Sequence, residues 1–436
     1  MIFLRPLFAR PASLGRLLVC TLVLAWTSAV LGNGLPTADP EKVGLSSDRL
    51  ERLPQTMQRF IDKNLLAGTV TLVARDGQVV HLQAQGWQDK ATNEPMSEDD
   101  IFFIMSMTKP VVSVALMMLY EEGHFLLTDP ITDWIPELSD KEVLVRDTYG
   151  TRRVPPARPI TFRHVLSHTA GLDPDRSLLT EAEQALLARE ESLEATLLKR
   201  APLPLAFHPG DQWQYGSSTD YVALLVERIA GEPLKDFVQR RIFDPLQLQD
   251  TFYEVPADKM DRVASVYSPS GPARTIELFR TGEYSSTPYF GSNYYGGVAG
   301  LFSTAPDYWR FAQMLLNGGE LDGVRLLSPT TINLMISNHT GDKDVYVRGP
   351  GWTFGLGFGI VSDVGAARDP ASPGTFSWGG AWGTIFFVDP VENLVGIMMT
   401  QITSYSHLNV RQLVPVTILQ SVVDSYSPLM AYPILD

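Results

Sequence analysis

The sequence of 436 residues predicts an α/β fold, in which an antiparallel β-sheet is flanked by helices and a mostly helical region is inserted between its halves. Three observations carry this. β-rich runs lie near both ends of the chain, the runs between them have helical spacing, and the strands at each end are joined by hairpin-like turns. The α/β part is expected over residues of about 45–120 and 345–436, and the helical part over about 121–344.

SSDRLERLPQTMQRFIDKN (46–64) spaces Leu50, Leu53, Met57, Phe60 and Ile61 as one face of a helix, with serine at its start as a cap. AGTVTLVARDGQVVHLQAQG (67–86) places two β-rich runs around Asp76-Gly77, a hairpin signal. VVSVALMMLYEEG (111–123) reads as an apolar helix closed by Gly123. The middle reads as helices at 179–200, 220–231 and 305–319, joined by polar, proline-rich loops. Strand character is expected to return only near the end, at 352–362, 375–390 and 393–402, before a last helix at 408–426.

The first 32 residues form a separate object. Arg5, Arg10 and Arg16 precede the apolar stretch LLVCTLVLAWTSAVLG, which has small residues such as Ala29 and Gly32 near its end. This reads as a secretory signal peptide, so residues 33–436 are expected to form the working domain in a secreted or periplasmic protein. The alternative is an uncleaved membrane anchor. The only cysteine is Cys20, inside the apolar stretch, which leaves no disulfide and no thiol nucleophile beyond it. A net charge of −14 argues against nucleic acid, whose phosphates call for a basic surface. His164 and His168 have the spacing of a zinc helix but no acidic third ligand, so they read as core or capping residues; no metal or other cofactor is expected. Nothing in the sequence gives the oligomeric state.

G-x-S-x-G, the P-loop and the dinucleotide fingerprint are absent. Present is Ser106-Met-Thr-Lys109, followed by Pro110, which places a helix start close to the serine. On that helix the hydroxyl and the amine share one face, near N–H groups and a positive dipole end suited to an oxyanion. A buried lysine there can activate a serine without histidine. The competing reading is a serine that caps the helix. Tyr215 precedes the polar turn Gly216-Ser217-Ser218, and is either a packing residue or a phenol whose pKa a nearby ammonium lowers. Trp378-Gly379-Gly380-Ala381 lies in an apolar strand. Its glycines fit either a bulge or the close approach of a substrate, with a strand N–H as oxyanion donor.

From about Ser46 to Tyr426 the sequence resembles the serine β-lactamase and penicillin-binding-protein superfamily, in its class C-like branch, and within it is most similar to the family VIII carboxylesterases. Ser106-Met-Thr-Lys109 matches S-x-x-K, Tyr215-Gly-Ser217 stands where Y-x-N is found, and Trp378-Gly-Gly380 takes the K-T-G position. HVLSHTAGL (164–172), residues 296–329 and the run WGTIFFVDP also look like the family.

The resemblance implies an acyl-enzyme on Ser106, with Lys109 and Tyr215 handling the proton and either of them the acylation base. It implies an oxyanion hole from the N–H groups of Ser106 and Ala381, and substrate contacts by Trp378, Gly379, Gly380 and Ser217. Two departures bear on the substrate. Trp378 replaces a lysine suited to a substrate carboxylate, and Ser217 replaces an asparagine amide. Both favour a small neutral ester over an anionic lactam. β-Lactam or D-amino-acid peptide hydrolysis, acyl transfer, and ligand binding without turnover remain the alternatives. Selectivity is expected to depend on loops such as 270–295.

Overall fold

The structure, a computed structural model, describes residues 34–427 except 149 and 287–292. The signal-peptide segment and part of the 270–295 loop therefore lie outside the described residues. One eight-stranded antiparallel sheet organises the chain. Its order runs Trp352–Phe354, Gly359–Val361, Phe376–Gly379, Ile385–Asp389, Leu394–Met399, Gly68–Arg75, Gln78–Asp89, Glu94–Pro95. The two ends of the sequence meet where Gly68–Arg75 pairs with Leu394–Met399, in the register Val70↔Met399 to Arg75↔Leu394. The hairpin at 68–89 turns at Asp76 and Gly77, both at positive φ (54° and 71°), as a type I′ turn requires.

Both of these central strands are buried along their whole length, because helices cover the sheet on each side. The helices Arg52–Asp62 and Val410–Leu419 pack against it and against each other, and Ala305–Leu316 packs on the same strands. The helix Thr108–Glu121 is buried from Thr108 to Leu119 and lies against the helix Ser218–Ala230. A helix apolar on all sides needs such neighbours on all sides.

The inserted region differs from the expectation in two ways. It carries its own hairpins, Val143–Asp147 with Gly150–Val154 and Val266–Ser270 with Thr275–Arg280, so strand character does not wait for the end of the chain. The single helix expected at 179–200 is two, Glu181–Ala185 and Leu193–Arg200. Each has its own start signal: a capping box between Thr180 and Glu183, and a Ser192 side chain that accepts the Ala195 N–H. The last helix stops at Leu419 rather than 426, because the chain then turns back along residues 44–45, with the Val423 N–H on the Gly44 carbonyl at 3.0 Å. Among the described residues no helix is long and apolar enough to cross a membrane.

Candidate active site

Ser106 sits in a one-turn 3₁₀ segment, Met105–Met107, that runs directly into the helix Thr108–Glu121, with Pro110 in the first turn of that helix. Met105, the residue before it, has φ 48°, a left-handed conformation that strains a side chain of this size. The Ser106 hydroxyl makes no cap bond. Its partner is Lys109, whose Nζ lies 3.2 Å from the Ser106 Oγ and donates to the Val298 carbonyl at 2.8 Å. Lys109 is 2% exposed.

The ring of Tyr215 completes the group, with the Lys109 Nζ 4.6 Å from its centroid. Trp378 donates its indole N–H to the Tyr215 hydroxyl at 3.2 Å, and its ring leans on the phenol at 5.2 Å. Trp213 stacks on Tyr215 and His168 packs beside it, which fixes the ring from three sides. Burial pushes the phenol up, but the Lys109 ammonium and hydrogen bonds from Lys109, Ser106 and Trp378 outweigh it, so the phenol titrates below the usual tyrosine range. His168 is held down to about 3, chiefly by burial and then by Lys109, so it stands as a neutral imidazole. His164 accepts the Thr161 N–H at 3.1 Å and closes a capping box.

The loop carrying Tyr215 is pinned from beneath by Asp173, which accepts the Ser217 N–H at 2.8 Å. A Cβ on Gly216 would strike the same carboxylate, so a larger residue there would displace Asp173. Ser217 thus spends its amide on Asp173; among the described residues no hydrogen bond joins its hydroxyl to Ser106, Lys109 or Tyr215.

The glycines of the Trp378 strand also have an internal reason. A Cβ on Gly379 would lie 2.8 Å from the Arg411 guanidinium carbon, and one on Gly380 would run into the Ile104 carbonyl and the Thr384 hydroxyl. Protein groups thus approach both glycines closely. Contact with Ile104 presses the strand end against the Ser106 turn. Beyond it the Gly380 N–H goes to the Thr384 carbonyl and the Gly383 N–H to the Gly380 carbonyl, and this tight turn leaves Ala381 exposed at its tip. Trp378 is 4% exposed, so what it offers most directly is the N–H that holds Tyr215. Trp378→Phe is therefore expected to raise the phenol's pKa and move the acidic limb of the activity profile to higher pH; rates across pH for the two proteins check this.

Residues that no motif announced support this group. Arg348 stacks near the Trp378 ring, 5.1 Å from its centroid, and donates to the Ser377 hydroxyl at 2.8 Å; burial, then Arg411, lowers it to about 10. Arg411 donates to the Gly380 carbonyl. Asp220 is fully buried behind the segment that carries the Val298 carbonyl. The only signals in the sequence were an acid inside an apolar helix and the glycine pair Gly296-Gly297. A cleft of about 1030 Å³ borders the Tyr215 loop, lined among others by Asp173, Phe207, Trp213, Val145 and Tyr346.

The arrangement puts an uncapped serine, a buried amine and an acidified phenol within reach of one another. Comparison with known proteins gives the family. The beta-lactamase family profile matches residues 53–412. An uncharacterized protein of Mycobacterium tuberculosis is 34% identical over 359 residues, covering 79% of this chain and 88% of its own. Esterase EstB of Burkholderia gladioli is 29% identical, covering 85% and 95%. The solved structure of EstCE1, a hydrolase with promiscuous acyltransferase activity, superposes with a TM-score of 0.73 at 28% identity, covering 85% of this chain and 98% of that one. The chain belongs to the beta-lactamase family, as a serine hydrolase or acyltransferase of that fold related to esterases.

Proposed function

We propose that the protein hydrolyses small carboxylic esters through an acyl-enzyme on Ser106, outside the cytoplasm once residues 1–32 have directed its export. The observation that carries the reading is the uncapped Ser106 hydroxyl 3.2 Å from the buried Lys109 amine, beside a phenol acidified by the same lysine. In acylation the Ser106 oxygen attacks the ester carbonyl while its proton passes to Lys109 or Tyr215. The N–H groups of Ser106 and Ala381 receive the oxyanion. Collapse breaks the ester C–O bond, and the departing alkoxide takes up the proton. In deacylation water gives a proton to Tyr215 as it attacks the acyl carbonyl; the acyl C–O bond to Ser106 then breaks, the Ser106 oxygen takes that proton from Tyr215, and the carboxylic acid leaves.

Two features support esters over lactams. Where a lysine would meet a substrate carboxylate, Trp378 turns its N–H to Tyr215, and Ser217 supplies no side-chain amide. Hydrolysis of a short-chain p-nitrophenyl ester beside a chromogenic cephalosporin tests the reading, in wild type and in Ser106→Ala. Ester turnover lost in the variant, with little lactam cleavage, is the expected result; fast lactam cleavage would replace the esterase reading. A transferred acyl product with an added alcohol would extend it to acyl transfer.

A further inference from the structure

We propose that Asp220 is a positioning residue for the chemistry at Ser106: its carboxylate fixes the backbone at Gly297–Val298, and the Val298 carbonyl holds the amine of Lys109 against the serine. The inference rests on reading Ser106 as the nucleophile. Asp220 lies in the first turn of the helix Ser218–Ala230, directly behind the loop of Tyr215, and is 2% exposed. One carboxylate oxygen accepts the N–H of Gly297 at 2.9 Å and of Val298 at 3.0 Å; the other accepts the Tyr294 hydroxyl at 2.9 Å. All three donors belong to the segment 294–298, whose Val298 carbonyl accepts from the Lys109 Nζ at 2.8 Å.

A buried carboxylate is costly unless its lone pairs are used, and removing its acceptor oxygens leaves the donors orphaned. Here every bond it makes bears on the placement of a single carbonyl. The packing points the same way. A Cβ on Gly297 would collide with the Thr219 carbonyl, and one on Gly296 would lie 2.9 Å from the Tyr294 ring and 3.1 Å from the Asp220 carboxylate. The segment is therefore pressed onto the start of the helix with no space to shift. One helix start thus ties the second motif, through Tyr215, to the support of the first, through Lys109. A lysine with four rotatable bonds needs such an anchor to keep its amine on the serine.

The experiment follows covalent labelling of Ser106 by a fluorophosphonate, resolved into the binding constant KI and the rate constant kinact, with thermal unfolding in parallel. The proteins are wild type, Asp220→Ala, Asp220→Asn, Tyr294→Phe and Ser106→Ala. Misplacing a catalytic group by about 1 Å costs roughly 100-fold, so Asp220→Ala should lower kinact by about that factor with KI little changed. Asparagine keeps an oxygen for the two amides and should recover most of the rate. Tyr294→Phe should slow kinact several-fold.

A folded Asp220→Ala that labels at the wild-type rate overturns the proposal, as does an Asp220→Asn no faster than the alanine variant. Should Asp220→Ala fail to fold, an unchanged kinact in Tyr294→Phe overturns it instead. Wild type labelled at Ser106 yet inert toward esters would remove the esterase reading and leave this inference standing. Wild type with no label at Ser106 would remove both.

Discussion

Lys109→Met is expected to lower kcat for ester hydrolysis by about 10²–10⁴-fold, the usual worth of a positioned proton-transfer group, while the chain stays folded. Methionine matches the length of the lysine stem and suits a site that is 2% exposed. The loss falls on two contacts, the 3.2 Å approach to the Ser106 hydroxyl and the 2.8 Å bond to the Val298 carbonyl. The orphaned carbonyl costs on the order of 1–3 kcal/mol, offset in part because no amine has to be buried. The same change removes the ammonium that lowers the Tyr215 phenol, so any residual activity should need higher pH than wild type. Steady-state rates across pH, with thermal unfolding as the control, check both statements. Activity within threefold of wild type would take Lys109 out of the mechanism.

Tyr215→Phe is expected to cost a similar factor, about 10²–10⁴, for the same reason. Phenylalanine keeps the ring that Trp213, His168 and Trp378 hold and deletes only the hydroxyl, leaving the Trp378 N–H without its acceptor. The sign of the pH effect follows from the role. A phenol acting as base works deprotonated, so wild-type activity rises as pH passes upward through its lowered pKa, and the variant loses that limb. Burst kinetics then divide the two candidate bases. A burst of p-nitrophenol followed by slow turnover would assign Tyr215 to the water step and leave acylation to Lys109. Loss of the burst would assign Tyr215 to acylation.

The parts of the fold legible in the sequence were those fixed by local chemistry. Asp76-Gly77 needs left-handed residues and marks a hairpin wherever it falls, and Gly231 ends its helix at φ 72° for the same reason. The hairpins at 143–154 and 266–280 were missed because polar and charged residues interrupt their alternation, as in VLVRD and GTRRV, and because tertiary packing decides their pairing. At the site, Ser106, Lys109, Tyr215 and Trp378 could be named because together, in order, they match the three motifs of the superfamily the sequence resembles. Their supports could not. The Val298 carbonyl is a backbone group 189 residues from Lys109, and no residue type announces it. The Trp378 strand shows the converse: its glycines were visible, but Ile104 and Arg411, which crowd them, come from elsewhere in the chain.

The central claim is that Ser106 is the nucleophile, and a fluorophosphonate adduct mapped by peptide mass spectrometry tests it most directly. The account predicts one adduct, on the Ser106 peptide, appearing as ester turnover disappears in the same sample, with neither label nor turnover in Ser106→Ala. An adduct on another residue, or ester turnover that survives in Ser106→Ala, would contradict it.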